Sequence, residues 1–176
     1  MRRVAVGLAL VAVLAAAGCG GDSSSAAEEW AGGVCTALDT YVTSLKGIGD
    51  SVGKAGLSKS SLQDAASQAG AATDTFVSDL DALGAPDTEK GAEAKAAVDG
   101  LAASLKKDVE TVSSLVDGLS GSDDLLSVIT QVGSTLTAAK NEIVATFDEL
   151  EQIDAHGELQ KGFDQADSCD ALKESL

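Results

Sequence analysis

The chain has 176 residues with 28 acidic and 12 basic side chains, a formal net charge of −16 and only 3% aromatic residues. That length suffices for one domain with a sizeable core. With no arginine after Arg3, the chain lacks the basic patches that nucleic acid or an anionic lipid surface requires, and its acidity fits solubility and mutual repulsion outside the cell.

At the N-terminus, Met1, Arg2 and Arg3 precede an apolar run from Val4 to about Ala17, then Gly18 and Cys19. This is the layout of a secretory signal. A run of roughly 14 residues is shorter than the about 20 that a bilayer-spanning helix needs. Through Leu14, Ala15, Ala16, Ala17, Gly18 and Cys19 the segment resembles bacterial lipoprotein signals, with Ala16 in the place of the usual leucine. The resemblance implies a signal peptide at 1–18, palmitate-type acylation of Cys19, and attachment to the outer face of the cell membrane. Several acyl chains on one cysteine anchor stably, because each buried CH₂ contributes about 0.8 kcal/mol. Ordinary secretion with cleavage near Ala17 would leave Cys19 a free thiol instead. Arg2 and Arg3 lack the flanking pattern of twin-arginine export. Residues 19–25 then form a polar tether, and the six from Gly20 to Ser25 span only about 13 Å as a random coil. Loss of 18 residues from 176 leaves 158, and loss of Arg2 and Arg3 moves the charge from −16 to −18.

Residues 26–176 read as one domain with strong helix signals and poor strand signals. Trp30, Val34, Leu38, Tyr41, Leu45 and Ile48 recur at spacings of three and four. Ser25 with Glu28 three places on has the capping-box pattern, and Gly47, Gly49, Gly53 and Gly56 read as breakers, which predicts a first helix over 26–49. Ser60, Gln63 and a stripe through Leu62, Ala69, Phe76 and Leu83 predict a second over 60–83, stopped by Gly84 and Pro86. Asp87 as cap and Glu89 in the first turn open a third over 88–119, with Val98, Leu101, Leu105, Val109 and Val112 in its stripe. Ser122, Asp123 and Asp124 open a fourth through Ile153, with Gly157 as terminator. A short amphipathic tail through Leu159, Phe163 and Ala166 leads to Cys169.

Short links between long helices make sequential neighbours antiparallel, so the expected fold is an all-α, up-down four-helix bundle. Such a bundle puts the start of helix one and the end of helix four at a common end. Once Cys19 is assigned to lipid, Cys35 and Cys169 remain for a disulfide, which export permits. The common end would bring them within the roughly 4.4–6.8 Å Cα separation that a disulfide needs. Two thiols and one histidine are too few for a four-ligand zinc site.

Little in the chain points to chemistry. His156 is the only imidazole, with no serine elbow, catalytic cysteine or zinc-protease motif to serve it, and reads as exposed or as capping a helix end. Gly47–Ala55 fails as a phosphate loop, having Ile48 where glycine and Ala55 where Ser or Thr is required, and reads as an interhelical turn. Asp148, Glu149, Glu151, Asp154 and Glu158 form the densest acidic run, and Asp154 with Glu158 could share one helix face. Without a calcium-loop pattern they read as a solvated face. A carboxylate pair for glycoside hydrolysis is uninformative among 28 acids. Trp30, Tyr41, Phe76, Phe147 and Phe163 read as core. No catalytic residue, metal or cofactor is assigned.

The lipoprotein signal, Trp30 followed by Cys35, the turn Leu83-Gly84-Ala85-Pro86-Asp87-Thr88 with Gly91, and the late Cys169 resemble small secreted lipoproteins of high-GC Gram-positive bacteria. That resemblance implies no functional residue. The expected role is therefore a non-enzymatic helical module that meets an envelope or extracellular protein. The alternative is a binding module holding an apolar or small ligand between the helices, which requires a cavity in the core. An enzyme is not expected, because no nucleophile, base and orienting group can be named together.

Overall fold

The computed structural model describes residues 23–120, 122–154 and 157–175. Residues 1–18, Cys19, Gly121 and His156 lie outside them. Six helices follow one another: α1 Ser23–Ala55, α2 Lys59–Leu83, α3 Gly91–Asp117, α4 Ser122–Ile153, α5 Glu158–Gln165 and α6 Asp167–Ser175. No strand occurs among the described residues. The all-α expectation holds, and several boundaries differ for local reasons.

Because α1 starts at Ser23, Ser25 lies inside the helix and is not its cap. Nor do Gly47, Gly49 and Gly53 break it. Each glycine costs a helix about 1 kcal/mol relative to alanine, but Leu45, Ile48 and Val52 on the same turns are half-buried against the other helices. Tertiary packing overrides propensity until Gly56, whose φ of +82° ends the helix. The segment 47–55 is thus helical, not the turn expected from its glycines.

The cap of α2 is Ser58 rather than Ser60. The Ser61 N–H donates to Ser58 Oγ at 3.1 Å and the Ser58 N–H donates to Ser61 Oγ at 3.0 Å. A second serine takes the place expected for Gln63 and closes the capping box. Gly84 at φ +64° ends α2 as the sequence indicates. Next, the Thr88 N–H donates to Pro86 O and the Gly91 N–H to Thr88 O, so the chain turns through 84–90 before α3 can begin. Asp87 and Glu89 therefore precede α3, and Glu93 is the acid in its first turn. At the other end of α3, Lys59 Nζ donates to Asp117 O at 3.3 Å and Leu119 O at 2.6 Å, satisfying carbonyls that the helix leaves open.

The C-terminal tail is two short helices with an extended residue, Ala166, between them. Both pack on α1, which also packs on α2; α2 packs on α3 and α3 on α4, whereas α1 and α4 are not a closely packed pair. The approach of α5 depends on Gly162, where a Cβ would lie 2.7 Å from the Ala27 carbonyl group. Cys35 and Cys169 form the expected disulfide, with Cα atoms 5.0 Å apart and both residues buried. Around it lies the main core, built from Trp30, Val34, Leu38, Phe76, Leu105, Leu150, Leu159, Phe163 and Leu172, among others. Val116, Leu119 and Val128 form a separate, smaller cluster near the α1–α2 and α3–α4 links.

Candidate functional site

The space between the two clusters is a cavity of about 230 Å³. Its wall takes Tyr41, Leu105 and Ala139 from the main core and Leu62, Val112, Val116 and Val132 from the second cluster and its surroundings. Four helices contribute, and much of what α2 and α4 offer is small: Ala65, Ala66 and Ala69 beside Leu62, and Ala139 beside Val132, Thr135 and Leu136. Alanine lets helices approach but fills little volume, so close packing is lost here. An engineered apolar cavity of about 150 Å³ holds benzene, which scales to about nine carbon atoms for this one.

Polar groups in the wall are few. The Tyr41 hydroxyl is hydrogen-bonded to Thr73 Oγ1 at 3.2 Å, and Thr73 Oγ1 donates to Ala69 O at 2.9 Å. Burial raises the Tyr41 pKa, partly offset by the Thr73 bond, and the nearby Asp108 charge raises it further. Among the described residues, Asp108 is the one ionisable group in the wall besides Tyr41. Its Oδ2 is buried and has no hydrogen-bond partner among the described residues; the same holds for Glu142 Oε2 on α4. Burial pushes the Asp108 carboxyl above its ordinary range, the Glu142 charge adds to this, and Lys107 opposes it.

A groove between α1 and α4, about 390 Å³, shares Tyr41, Leu45, Leu136 and Ala139 with the cavity. It exists because these two helices are not closely packed. Leu136, on the wall of both, is 51% exposed. The groove is also lined by Val42, the buried Ile143, and Lys46 and Lys140.

The residues singled out in the sequence lie elsewhere. Cys35 and Cys169 are structural, while Cys19 and His156 fall outside the described residues. Asp148, Glu149 and Glu151 are exposed on α4. Asp154 and Glu158 do not share a helix face, since α4 ends at Ile153; Asp154 Oδ2 instead accepts the Leu159 N–H at 2.9 Å at the start of α5. No group of three His, Cys, Asp or Glu side chains placed to hold a metal occurs among the described residues. Among them also, no helix is long and apolar enough to cross a membrane. Trp30, Tyr41, Phe76 and Phe163 are buried and Phe147 packs against them, with ring pairs Trp30–Phe163, Tyr41–Phe76 and Phe147–Phe163. No family model matches the chain, and no curated protein or solved structure is significantly similar to it.

Proposed function

We propose that this protein is a membrane-anchored extracytoplasmic lipoprotein whose helical domain is a non-enzymatic binding module for a small apolar ligand held between the helices. The cavity carries the ligand part: it is apolar, bounded by four helices, large enough for about nine carbons by the benzene comparison, and shares Tyr41, Leu45, Leu136 and Ala139 with a surface groove. Attachment through Cys19 at the outer face of the membrane is supported by the N-terminal pattern and by the disulfide, which belongs to an oxidising compartment.

For α1–α4 we propose the up-down order. In its support, Trp30 near the start of α1 donates through Nε1 to Gly84 O just beyond the end of α2, at 2.9 Å. Lys59 at the start of α2 likewise meets the end of α3. The order sets the cavity toward the ends of α1 and α3, with Tyr41–Val52 on one side and Leu105–Val116 on the other, away from the start of α1 where the chain would leave the membrane.

Calorimetric titration with decanol tests the ligand module. Saturable binding at one site per chain is expected, and an absence of saturable heat would overturn it. Intact mass of protein from its own membrane tests the anchor: a chain beginning at Cys19 and carrying a diacylglyceryl group is expected, against an unlipidated chain. A second role, docking of another envelope protein, is favoured by Leu126, Leu136 and Val144, which expose apolar surface on α4. A photo-crosslinker placed at Leu126 would then capture a partner in intact cells, and a label confined to this chain would refute that role.

A further inference from the structure

Resting on the ligand-binding module proposed above, we infer that its ligand is a small apolar amine, with its hydrocarbon body in the four-helix cavity and its protonated nitrogen donating to the Asp108 carboxylate. The polar groups of the wall select that head. Tyr41, Thr135 and Asp108 carry the side-chain oxygens there. The Tyr41 hydroxyl is bonded to Thr73, and the Thr135 hydroxyl donates to Gln131 O at 3.1 Å, so both are engaged within the chain. Asp108 is left with Oδ2 buried and without a partner among the described residues. An ionised carboxylate only accepts hydrogen bonds, so a guest that satisfies it must bring a donor. The terminal torsion of an aspartate is broad, which lets either oxygen turn to that donor.

Charge then separates an amine from an alcohol. Among the described residues, no lysine or arginine lines the cavity. Lys46 and Lys140 line the neighbouring groove and each has an interaction of its own. Glu142 on α4 has a second buried oxygen without a partner, and its charge acts on Asp108 more strongly than that of the exposed Lys107. An ammonium beside Asp108 relieves this repulsion and makes a charge-assisted bond, roughly twice as strong as a neutral one. A carboxylate or phosphate head would be repelled. The rest of the guest meets Leu62, Leu105, Val112 and Val132, in room for about nine carbons by the benzene comparison.

The test uses the chain carrying Cys19→Ser, so that no acyl group of its own competes, with the Cys35–Cys169 disulfide intact. Four probes with equal chains are titrated at neutral pH and high salt, which screens the general attraction of an acidic chain for cations: decylammonium, decyltrimethylammonium, decanol and decanoate. Decylammonium is expected to bind about tenfold more tightly than decanol, the effect of a hydrogen bond to a charged group. It should also exceed decyltrimethylammonium, which has the charge and no N–H, and decanoate should bind most weakly. In Asp108→Asn the advantage of decylammonium over decanol should vanish while decanol still binds. In Glu110→Gln, which removes an exposed charge of α3 off the cavity wall, the advantage should persist. Equal binding of decylammonium and decanol, a quaternary probe or decanoate that binds as tightly as decylammonium, or an advantage that survives Asp108→Asn or is lost in Glu110→Gln overturns the inference and leaves the apolar site standing. If none of the four binds, the ligand module itself fails.

Discussion

Filling the cavity should stabilise the fold and weaken ligand binding together. Ala66 is buried on α2 and its side chain faces the space. Ala66→Leu adds three carbons, each of which contributes about 0.8 kcal/mol when buried. Ordering the leucine side chain costs about 0.5–1 kcal/mol, so a net gain of about 1–2 kcal/mol is expected. In a domain of this size that raises Tm by about 2–8 °C. The same leucine occupies about a third of the space for the guest, so decanol affinity should fall at least about tenfold if each displaced carbon forfeits its burial. Urea unfolding at pH 7 with the disulfide intact, paired with decanol calorimetry, reads both effects. Destabilisation by about 1–3 kcal/mol, the usual result of overpacking, with decanol binding unchanged would refute the cavity.

Replacing both cysteines, Cys35→Ala with Cys169→Ala, opens a loop of 134 residues in sequence separation; the chain-entropy model gives a loss of about 5 kcal/mol, measurable as a lower urea midpoint, and an unchanged midpoint would refute it. Gly162→Ala forces a Cβ against the Ala27 backbone and should cost about 1–3 kcal/mol, with faster amide exchange in α5 as the local sign. Asp108→Asn should stabilise the protein at pH 7. The folded-state pKa of Asp108 lies above its ordinary value because of burial and Glu142, so stability falls as pH rises from the ordinary carboxylate range, about 3.9, through that raised value. The gain from asparagine should be present at pH 7 and absent near pH 3, where folded and unfolded chains are both protonated; equal gains at both pH values would contradict it.

The four long helices and their buried faces were largely legible, because apolar residues at spacings of three and four, from Trp30 to Ile48 and from Leu125 to Ile153, leave little alternative to helices that bury one side; α5 and α6 were legible only as one amphipathic tail. The Cys35–Cys169 pairing was legible too, since both thiols needed one common end. Glycine was misleading: Gly47, Gly49 and Gly53 have open space where a Cβ would stand, and their helix persists because Leu45, Ile48 and Val52 pack. The caps of α2 and α3 were missed by two or three residues, since serines and acids crowd these helix starts and only backbone geometry selects Ser58 over Ser60; the bounds of α4, Ser122–Ile153, were legible. The acidic run around Asp154 was conspicuous by density, whereas its one specific role is a single bond to the Leu159 N–H. The cavity left only a faint trace, the alanines Ala65, Ala66, Ala69 and Ala139. Whether small residues on separate helices lie at one level depends on helix register, which a single stripe does not encode.

The central claim is that an apolar ligand enters between the helices, and methyl NMR of the protein titrated with decanol tests it most directly. Saturable shifts at Ala66, Ala69, Leu105, Val112 and Ala139, with the Leu159 and Leu172 methyls unmoved, are expected. Shifts confined to the exposed Leu126 and Val144, or none at the cavity methyls, would contradict it.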